Sequence, residues 1–252
     1  MIPFINNWQL STPVDAIIFD CDGTLSAIEG IDVLAEENKV GDIVQRLTAD
    51  AMGKTGINPS LYEKRLQLVQ PTQAQVQALG QKYIQSLVPD VAHVIDVFLY
   101  LKKAVYIVSA GVYPAVTILA ASLGLPDRHV FAVKIYFDKA GHYLRHDRDS
   151  PLIHNHGKRH IMTQLKQHHS RMVYVGDGLN DLAVYDLVTR FVGYGGIYYR
   201  ENIAKQCEYY LTASSMAPLI PLALTMEEVA KMREQDRALF EKGKGLIGDS
   251  VG

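Results

Sequence analysis

Hydrophobic residues along the chain follow two kinds of pattern. Short apolar runs stand at Ala16-Ile17-Ile18-Phe19, Val105-Tyr106-Ile107-Val108, Met172-Val173-Tyr174-Val175 and Phe191-Val192. They lead into Asp20, Ser109-Ala110-Gly111, Gly176-Asp177-Gly178 and Gly193 respectively. Nearly continuous apolar runs fit strands that are covered on both faces, and helical patterns lie between them. The alternation predicts an α/β fold around a parallel sheet, with a ligand beyond the carboxyl ends of the strands, where these polar residues fall.

Between about Ser26 and Val88 the pattern changes. No β-rich run occurs, and Gln, Glu, Lys and Leu dominate at helical spacing: Leu61, Arg65, Leu68 and Val69 follow one face, and Val76, Leu79, Tyr83 and Leu87 another. Gly53, Gly56 and Pro59 divide the segment, which reads as a helical insertion placed after the first strand. The expected organisation is an α/β core from residues 1–25 and 89–225, a helical cap from 26–88, and a C-terminal helix with a loose tail from 226–252. Thr225-Met226-Glu227-Glu228 supplies a capping box for that helix, whose apolar pattern continues through Leu239-Phe240. The Gly-rich stretch from Gly243 to Gly252 is expected to be loose. The uncharged stretch from Ala104 to Pro126 is long enough to span a bilayer, yet Ser109, Gly111 and Pro114 interrupt it. It reads as a strand, a loop and a helix.

Composition narrows the classes of function. Of the 252 residues, 48% are hydrophobic and 21% charged, the balance of an ordinary globular chain. The formal net charge of -2 provides no basic footprint for nucleic acid or an anionic membrane. The first twenty residues carry no Lys or Arg, so they do not read as a secretory leader. Two cysteines, Cys21 and Cys207, make no disulfide framework, and a reducing, cytoplasmic location is expected.

The chemistry starts at Asp20-Cys21-Asp22-Gly23-Thr24. Two carboxylates one residue apart at a strand end must be solvated or paired, and a hard cation such as Mg²⁺ meets that need with oxygen ligands. Asp20 would attack phosphorus to form an aspartyl-phosphate. Asp22 would protonate the leaving oxygen and later activate water. A plain Asp-Gly turn is the structural alternative. Gly176-Asp177-Gly178-Leu179-Asn180-Asp181 offers more acidic residues for a metal. Ser109 and the amides after it offer donors to phosphoryl oxygens, and Lys158 offers a cation.

Taken in order, Asp20 to Thr24, Ser109, Lys158 and Gly176 to Asp181 resemble the motifs of the haloacid dehalogenase superfamily of aspartate-nucleophile phosphatases. Asp22 sets the chain apart from the dehalogenase branch. Glu29-Gly30-Ile31-Asp32, Ala51-Met52-Gly53, the run from Lys64 to Pro71, and Gly193-Tyr194-Gly195-Gly196 followed by Arg200 are similar to phosphoserine phosphatases. The resemblance implies a Rossmann-like, doubly wound parallel sheet core with a small helical cap inserted after strand one. It implies Mg²⁺ at Asp20, Asp22 and Asp177, with Thr24 and Asp181 supporting from behind. It places Glu29 on a substrate ammonium, Arg65 on its carboxylate and Met52 along a serine pocket. Ser109, Ala110, Gly111, Lys158 and Asn180 would contact phosphate or substrate. The implied activity is magnesium-dependent hydrolysis of O-phospho-L-serine, a step of serine biosynthesis, by a monomer or homodimer.

Two departures bear on the substrate. The family's Phe, seven residues before the carboxylate-binding Arg, is Asn58 here, and its Gly-Gly after the serine is Ala110-Gly111. Another small phosphometabolite therefore remains an alternative substrate. So does phosphoryl transfer to an alcohol such as homoserine, while a non-catalytic binding protein would not need both Asp20 and Asp22. His156 and His160 share a spacing compatible with zinc, although scattered surface histidines would give the same spacing. Cys21 is expected to point away from its neighbouring carboxylates and pack.

Overall fold

In the computed structural model, which describes residues 8–52 and 57–247 but not the side chains of residues 49–52, the sheet is built around the first apolar run. Strand β1 (Ala16–Phe19) is buried at every position. The chain then forms four helices, α1 (Gly30–Glu37), α2 (Gly41–Met52), α3 (Pro59–Val69) and α4 (Gln73–Gln85), followed by α5 (Val91–Tyr100). Strand β2 (Ala104–Val112), α6 (Tyr113–Ser122) and β3 (Val130–Val133) come next, with a hairpin of β4 (Ile135–Phe137) and β5 (Tyr143–His146). The remainder is α7 (Gly157–Leu165), β6 (Met172–Gly176), α8 (Leu179–Leu182), β7 (Arg190–Tyr194), α9 (Glu201–Ala204) and β8 (Tyr209–Leu211). Three helices close it: α10 (Leu219–Ala223), α11 (Met226–Ala230) and α12 (Arg237–Ile247).

Six strands form one sheet in the order β3-β2-β1-β6-β7-β8, parallel throughout. Phe19 lies level with Ile107 on one neighbour and Val175 on the other. The residues that follow, Asp20, Ser109 and Asp177, therefore leave the same edge of the sheet. The chain moves to opposite sides of β1 to build β2 and β6, which is the switch point where open α/β sheets bind ligands. Cys21 is fully buried in the core, as its alternation predicts.

The apolar run predicts that β2 ends at Ser109, but the strand continues to Val112. Its register against β3 shifts between Val108 and Val112, which lets an extended backbone carry Ser109-Ala110-Gly111 into the site. α6 then starts at once, with Pro114 in its first turn. The apolar stretch 104–126 is thus strand followed by helix, and among the described residues no helix is long and apolar enough to cross a membrane. β3, β8 and the hairpin carry only three or four residues each, too few for periodicity to declare them.

The four inserted helices enter and leave the core side by side. Ser26 bridges Leu87, and Val88 N–H donates to Leu25 C=O at 3.0 Å. Ser26 Oγ donates to Tyr83 C=O at 3.1 Å, which ties the end of α4 to the point where the chain enters the insertion. Local chemistry starts these helices: the Asn58 side chain accepts from Leu61 N–H with Pro59 following, and Thr72 with Gln75 forms a capping box. α4 packs along α6 and so joins the insertion to the core.

The C-terminal segment differs from expectation. Thr225 does cap α11 with Glu228, but that helix is short, and the stretch from Gly243 to Ile247 belongs to α12 rather than to a loose tail. Leu239, Phe240, Gly243 and Ile247 are buried on one face of α12. Asp236, fully buried, accepts from His93 at 2.9 Å and Arg233 at 2.6 Å, and Lys242 pairs with Asp90. Residues 248–252 lie outside the described residues. At α7, His156 precedes the first turn and His160 lies against Gln164; neither joins a metal-ligating group among the described residues. Because α12 is docked, Phe240→Ala should lower stability by about 3 kcal/mol in urea denaturation, whereas a loose tail would leave the transition unmoved.

Candidate active site

Asp20 is the first residue beyond β1, and its N–H donates to Val175 C=O at 2.9 Å. The chain then turns: Cys21 C=O accepts from Thr24, Leu25 and Ser26, and Gly23 takes the left-handed conformation at φ 67°. A Cβ at Gly23 would lie 2.8 Å from Asp177 Oδ2, so this position needs glycine for both conformation and space. The turn presses the Asp20-to-Thr24 loop against the loop that follows β6.

Lys158, one residue into α7, is 1% exposed. Its Nζ reaches Asp20 Oδ1 at 2.8 Å and Asp181 Oδ1 at 2.5 Å. Asp181 Oδ1 also accepts from Tyr174 OH at 2.7 Å, and its Oδ2 from Gly178 N–H at 2.9 Å, so both oxygens are engaged. Asp177 Oδ2 accepts from Arg200 at 2.9 Å. Burial, with Asp181 nearby, pushes the Asp20 carboxyl well above its ordinary value against the pull of Lys158. Burial and Asp181 push Asp177 up to about 6, with Arg200 opposing. Burial would lower Lys158, but Asp181 and Asp20 outweigh it and hold the ammonium charged.

Carboxylate oxygens of Asp20, Asp177 and Asp181 lie within 4.8 Å of one another, the one such group among the described residues. Asp181 is already satisfied. Asp20 Oδ1 takes Lys158 and Cys21 N–H, leaving Oδ2, and Asp177 keeps Oδ1. Two crowded carboxylates, each with one uncommitted oxygen, form a hard-donor set that suits Mg²⁺. Asp22, expected at the metal beside them, adds no carboxylate oxygen to this group. Asp22 turns toward the inserted helices: Oδ1 accepts from Gly30 N–H and Tyr83 OH, each at 2.6 Å, and Oδ2 accepts from Ser109 Oγ at 3.3 Å. Gly30 N–H is an orphan donor at the start of α1, which accounts for a carboxylate at that helix end. Ser109 Oγ also accepts from Gly111 N–H at 2.9 Å, and Thr24 is fully buried beneath the loop.

The inserted helices roof a pocket over Asp20. Glu29, Ile31, Ile57 and Arg65 line it from above, and Asn180 and Arg200 from below. Arg65 is buried, yet among the described residues no carboxylate lies within ion-pair distance, and its Nε has no partner. Among the described residues its side chain makes one hydrogen bond, to Thr48 Oγ1 at 3.4 Å, and its guanidinium sits 5.8 Å from the Tyr62 ring centre. Burial pushes the Glu29 carboxyl up to about 8, with Asp22 and Asp177 adding to it. Ala110 lines the pocket, and its C=O accepts from Tyr62 OH at 2.9 Å. The Met52 side chain lies outside the described residues. Asn58 caps α3, while its neighbour Ile57 supplies the apolar wall.

Tyr62, Tyr83, Tyr174 and Arg200 join the site without having been expected there. Helical spacing places Tyr83 on the apolar face of α4 and says nothing of its hydroxyl, because the acceptor, Asp22, lies 61 positions away. Arg200 stands out in the sequence only as the basic residue that trails a glycine motif.

A model of haloacid dehalogenase-like hydrolases matches residues 14–184. Phosphoserine phosphatase from Bos taurus is 32% identical over 206 residues, spanning 81% of this chain and 92% of that protein. Among solved structures, a substrate-bound phosphoserine phosphatase complex aligns with TM-score 0.71 at 20% identity, over 83% of this chain and 98% of that one. A phospho-aspartyl intermediate analogue of phosphoserine phosphatase aligns with TM-score 0.62 at 19% identity, over 83% and 98%. These structures share the fold. With its aspartate, serine, lysine and acidic motifs gathered in one site, the chain belongs to the haloacid dehalogenase-like hydrolases, as a phosphomonoesterase similar to phosphoserine phosphatases.

Proposed function

We propose that this phosphomonoesterase hydrolyses O-phospho-L-serine to L-serine and phosphate, with Mg²⁺, through an aspartyl-phosphate on Asp20. The observation that carries the substrate reading is Arg65. A buried guanidinium whose Nε has no partner among the described residues, facing the pocket with Glu29 on the same roof, is an anion site waiting for its anion. A carboxylate on Arg65 and an ammonium on Glu29, with the phosphoryl group over Asp20, together describe a phosphorylated amino acid. The ammonium would also favour the charged form of Glu29, whose burial now disfavours it.

In the first step one carboxylate oxygen of Asp20 bonds to phosphorus as the bond from phosphorus to the serine oxygen breaks. Asp22 Oδ2 gives its proton to that oxygen, so serine leaves neutral at its hydroxyl. In the second step Asp22 takes a proton from water as its oxygen bonds to phosphorus, releasing phosphate and restoring Asp20. Ser109 Oγ, the amides after it, and Lys158 hold phosphoryl oxygens, while Lys158 and Arg200 offset the carboxylate charge. Asp20 and Asp177 would hold Mg²⁺, which supplies positive charge against the repulsion between phosphate and carboxylates.

Asp20→Asn should lose more than about a hundredfold in kcat with an unchanged thermal transition, and turnover within tenfold of the parent would sink the covalent reading. Chelation should abolish phosphate release and added Mg²⁺ restore it; release unaffected by chelator would remove the metal from the reaction. Arg65→Ala should cost about 2–4 kcal/mol in kcat/KM for phosphoserine and little for a phosphomonoester without a carboxylate. Glu29→Gln should discriminate in the same way for substrates bearing an ammonium. Equal losses on both substrate types would leave the phosphatase and remove phosphoserine. Phosphate released in step with serine identifies water as the acceptor, while a phosphorylated alcohol in its place would identify a transferase.

A further inference from the structure

Asp22 has to present one particular oxygen to the leaving group, and the geometry points to what decides which one. Gly30 N–H can only donate, and it donates to Oδ1. Tyr83 OH donates to the same oxygen, also at 2.6 Å. With two short donors on Oδ1 and only the longer Ser109 Oγ contact, at 3.3 Å, on Oδ2, a proton carried by the carboxyl group belongs on Oδ2, beside Ser109, whose hydroxyl can turn to accept it. We propose that Tyr83 is a positioning residue for proton transfer at Asp22: its hydroxyl reserves Oδ1 as an acceptor and leaves Oδ2 to deliver the proton.

Packing alone does not account for this tyrosine. Its side chain is fully buried on the apolar face of α4, where a phenylalanine would fill the same space. The hydroxyl is accommodated by an absence: a Cβ at Gly30 would lie 2.0 Å from Tyr83 Oη. Among the described residues, Asp22 is the acceptor that satisfies it, and without Asp22 a buried O–H would be left unpaired. Tyr83 C=O accepts from Ser26 Oγ, where the chain crosses into the inserted helices, so this contact sits at the junction of cap and core.

The inference rests on the reading of Asp22 as the acid. As the bond from phosphorus to the ester oxygen breaks, the Oδ2–H bond of Asp22 breaks and its proton passes to that oxygen. Tyr83 keeps its own proton throughout. The hydroxyl should therefore matter most when the leaving group needs protonation, which separates this role from a structural one.

The test uses the Mg²⁺-loaded enzyme with Tyr83→Phe, Asp22→Asn and the double variant, assayed on phosphoserine and on an aryl phosphate with a good leaving group. Tyr83→Phe should lower kcat on phosphoserine by about tenfold or more, with KM held within roughly twofold. On the aryl phosphate the loss should stay under roughly threefold. In the Asp22→Asn background, Tyr83→Phe should cost less than about twofold further, because the two act through one group. No loss, equal losses on both substrates, or full multiplication of the two effects would each overturn the proposal. If Asp22→Asn itself falls equally on both substrates, the acid reading goes and this inference with it. If Asp22→Asn discriminates and Tyr83→Phe does not, the inference alone goes.

Discussion

The site depends on Lys158, because the fold gathers carboxylates faster than solvent can screen them. Asp20, Asp177 and Asp181 converge where two neighbouring parallel strands end, and all three are buried. Like charges a few ångströms apart cost on the order of 4 kcal/mol per pair even at an effective dielectric of 20. A single buried ammonium lies between two of them, at 2.8 and 2.5 Å, and Arg200 supports the third. Asp181 is sacrificed to this purpose: both its oxygens hold Lys158, Tyr174 and Gly178 in place, and neither remains for chemistry. What the arrangement preserves is one uncommitted oxygen each on Asp20 and Asp177. The same burial that raises their pKa values makes them poor at standing alone and suited to a cation.

The two departures from the related phosphatases become intelligible at this level. Asn58 stands where an aromatic would face the substrate, but here it starts α3 by accepting from Leu61 N–H, and Ile57 provides the apolar wall. Ala110 stands where glycine is usual, and its carbonyl is held by Tyr62 OH from the roof. Tyr62 also lies beneath the Arg65 guanidinium. A residue that substitutes at one position is therefore tied to a second residue that positions a third.

How much of this can be read from the sequence follows from how far each signal reaches. β1, β6 and β7 are legible because apolar runs covered on both faces leave little ambiguity. So are the residues at their ends, because carboxylates crowded at the end of a buried strand are costly unless a cation or a ligand meets them. Helices in the insertion announce themselves by spacing and by caps such as Thr72 with Gln75. β3, β8 and the hairpin, three or four residues each, do not. The docking of α12 is hidden by Gly243, whose type suggests looseness although it lies buried in the helix. Hydroxyl partners are out of reach for a different reason: Tyr174 is 7 positions from Asp181, but Tyr62 is 48 from Ala110 and Tyr83 is 61 from Asp22. Sequence periodicity gives the face a tyrosine lies on, and only the assembled fold gives what its oxygen meets.

The metal group shows the same limit in a sharper form. Asp20 and Asp22 are separated by one residue, yet their carboxylates meet different partners. Asp20 stays with the core, between Lys158 and Asp177. Asp22 is taken up by the insertion, where the start of α1 and the end of α4 both donate to it. If Asp20 is the nucleophile and Asp22 the acid, the sheet edge holds the first, while the second answers to α1, which Glu29 precedes, and to α4. A substrate that engages the roof thereby acts on the same helices that orient the acid. Recognition and leaving-group protonation would then meet at one carboxylate.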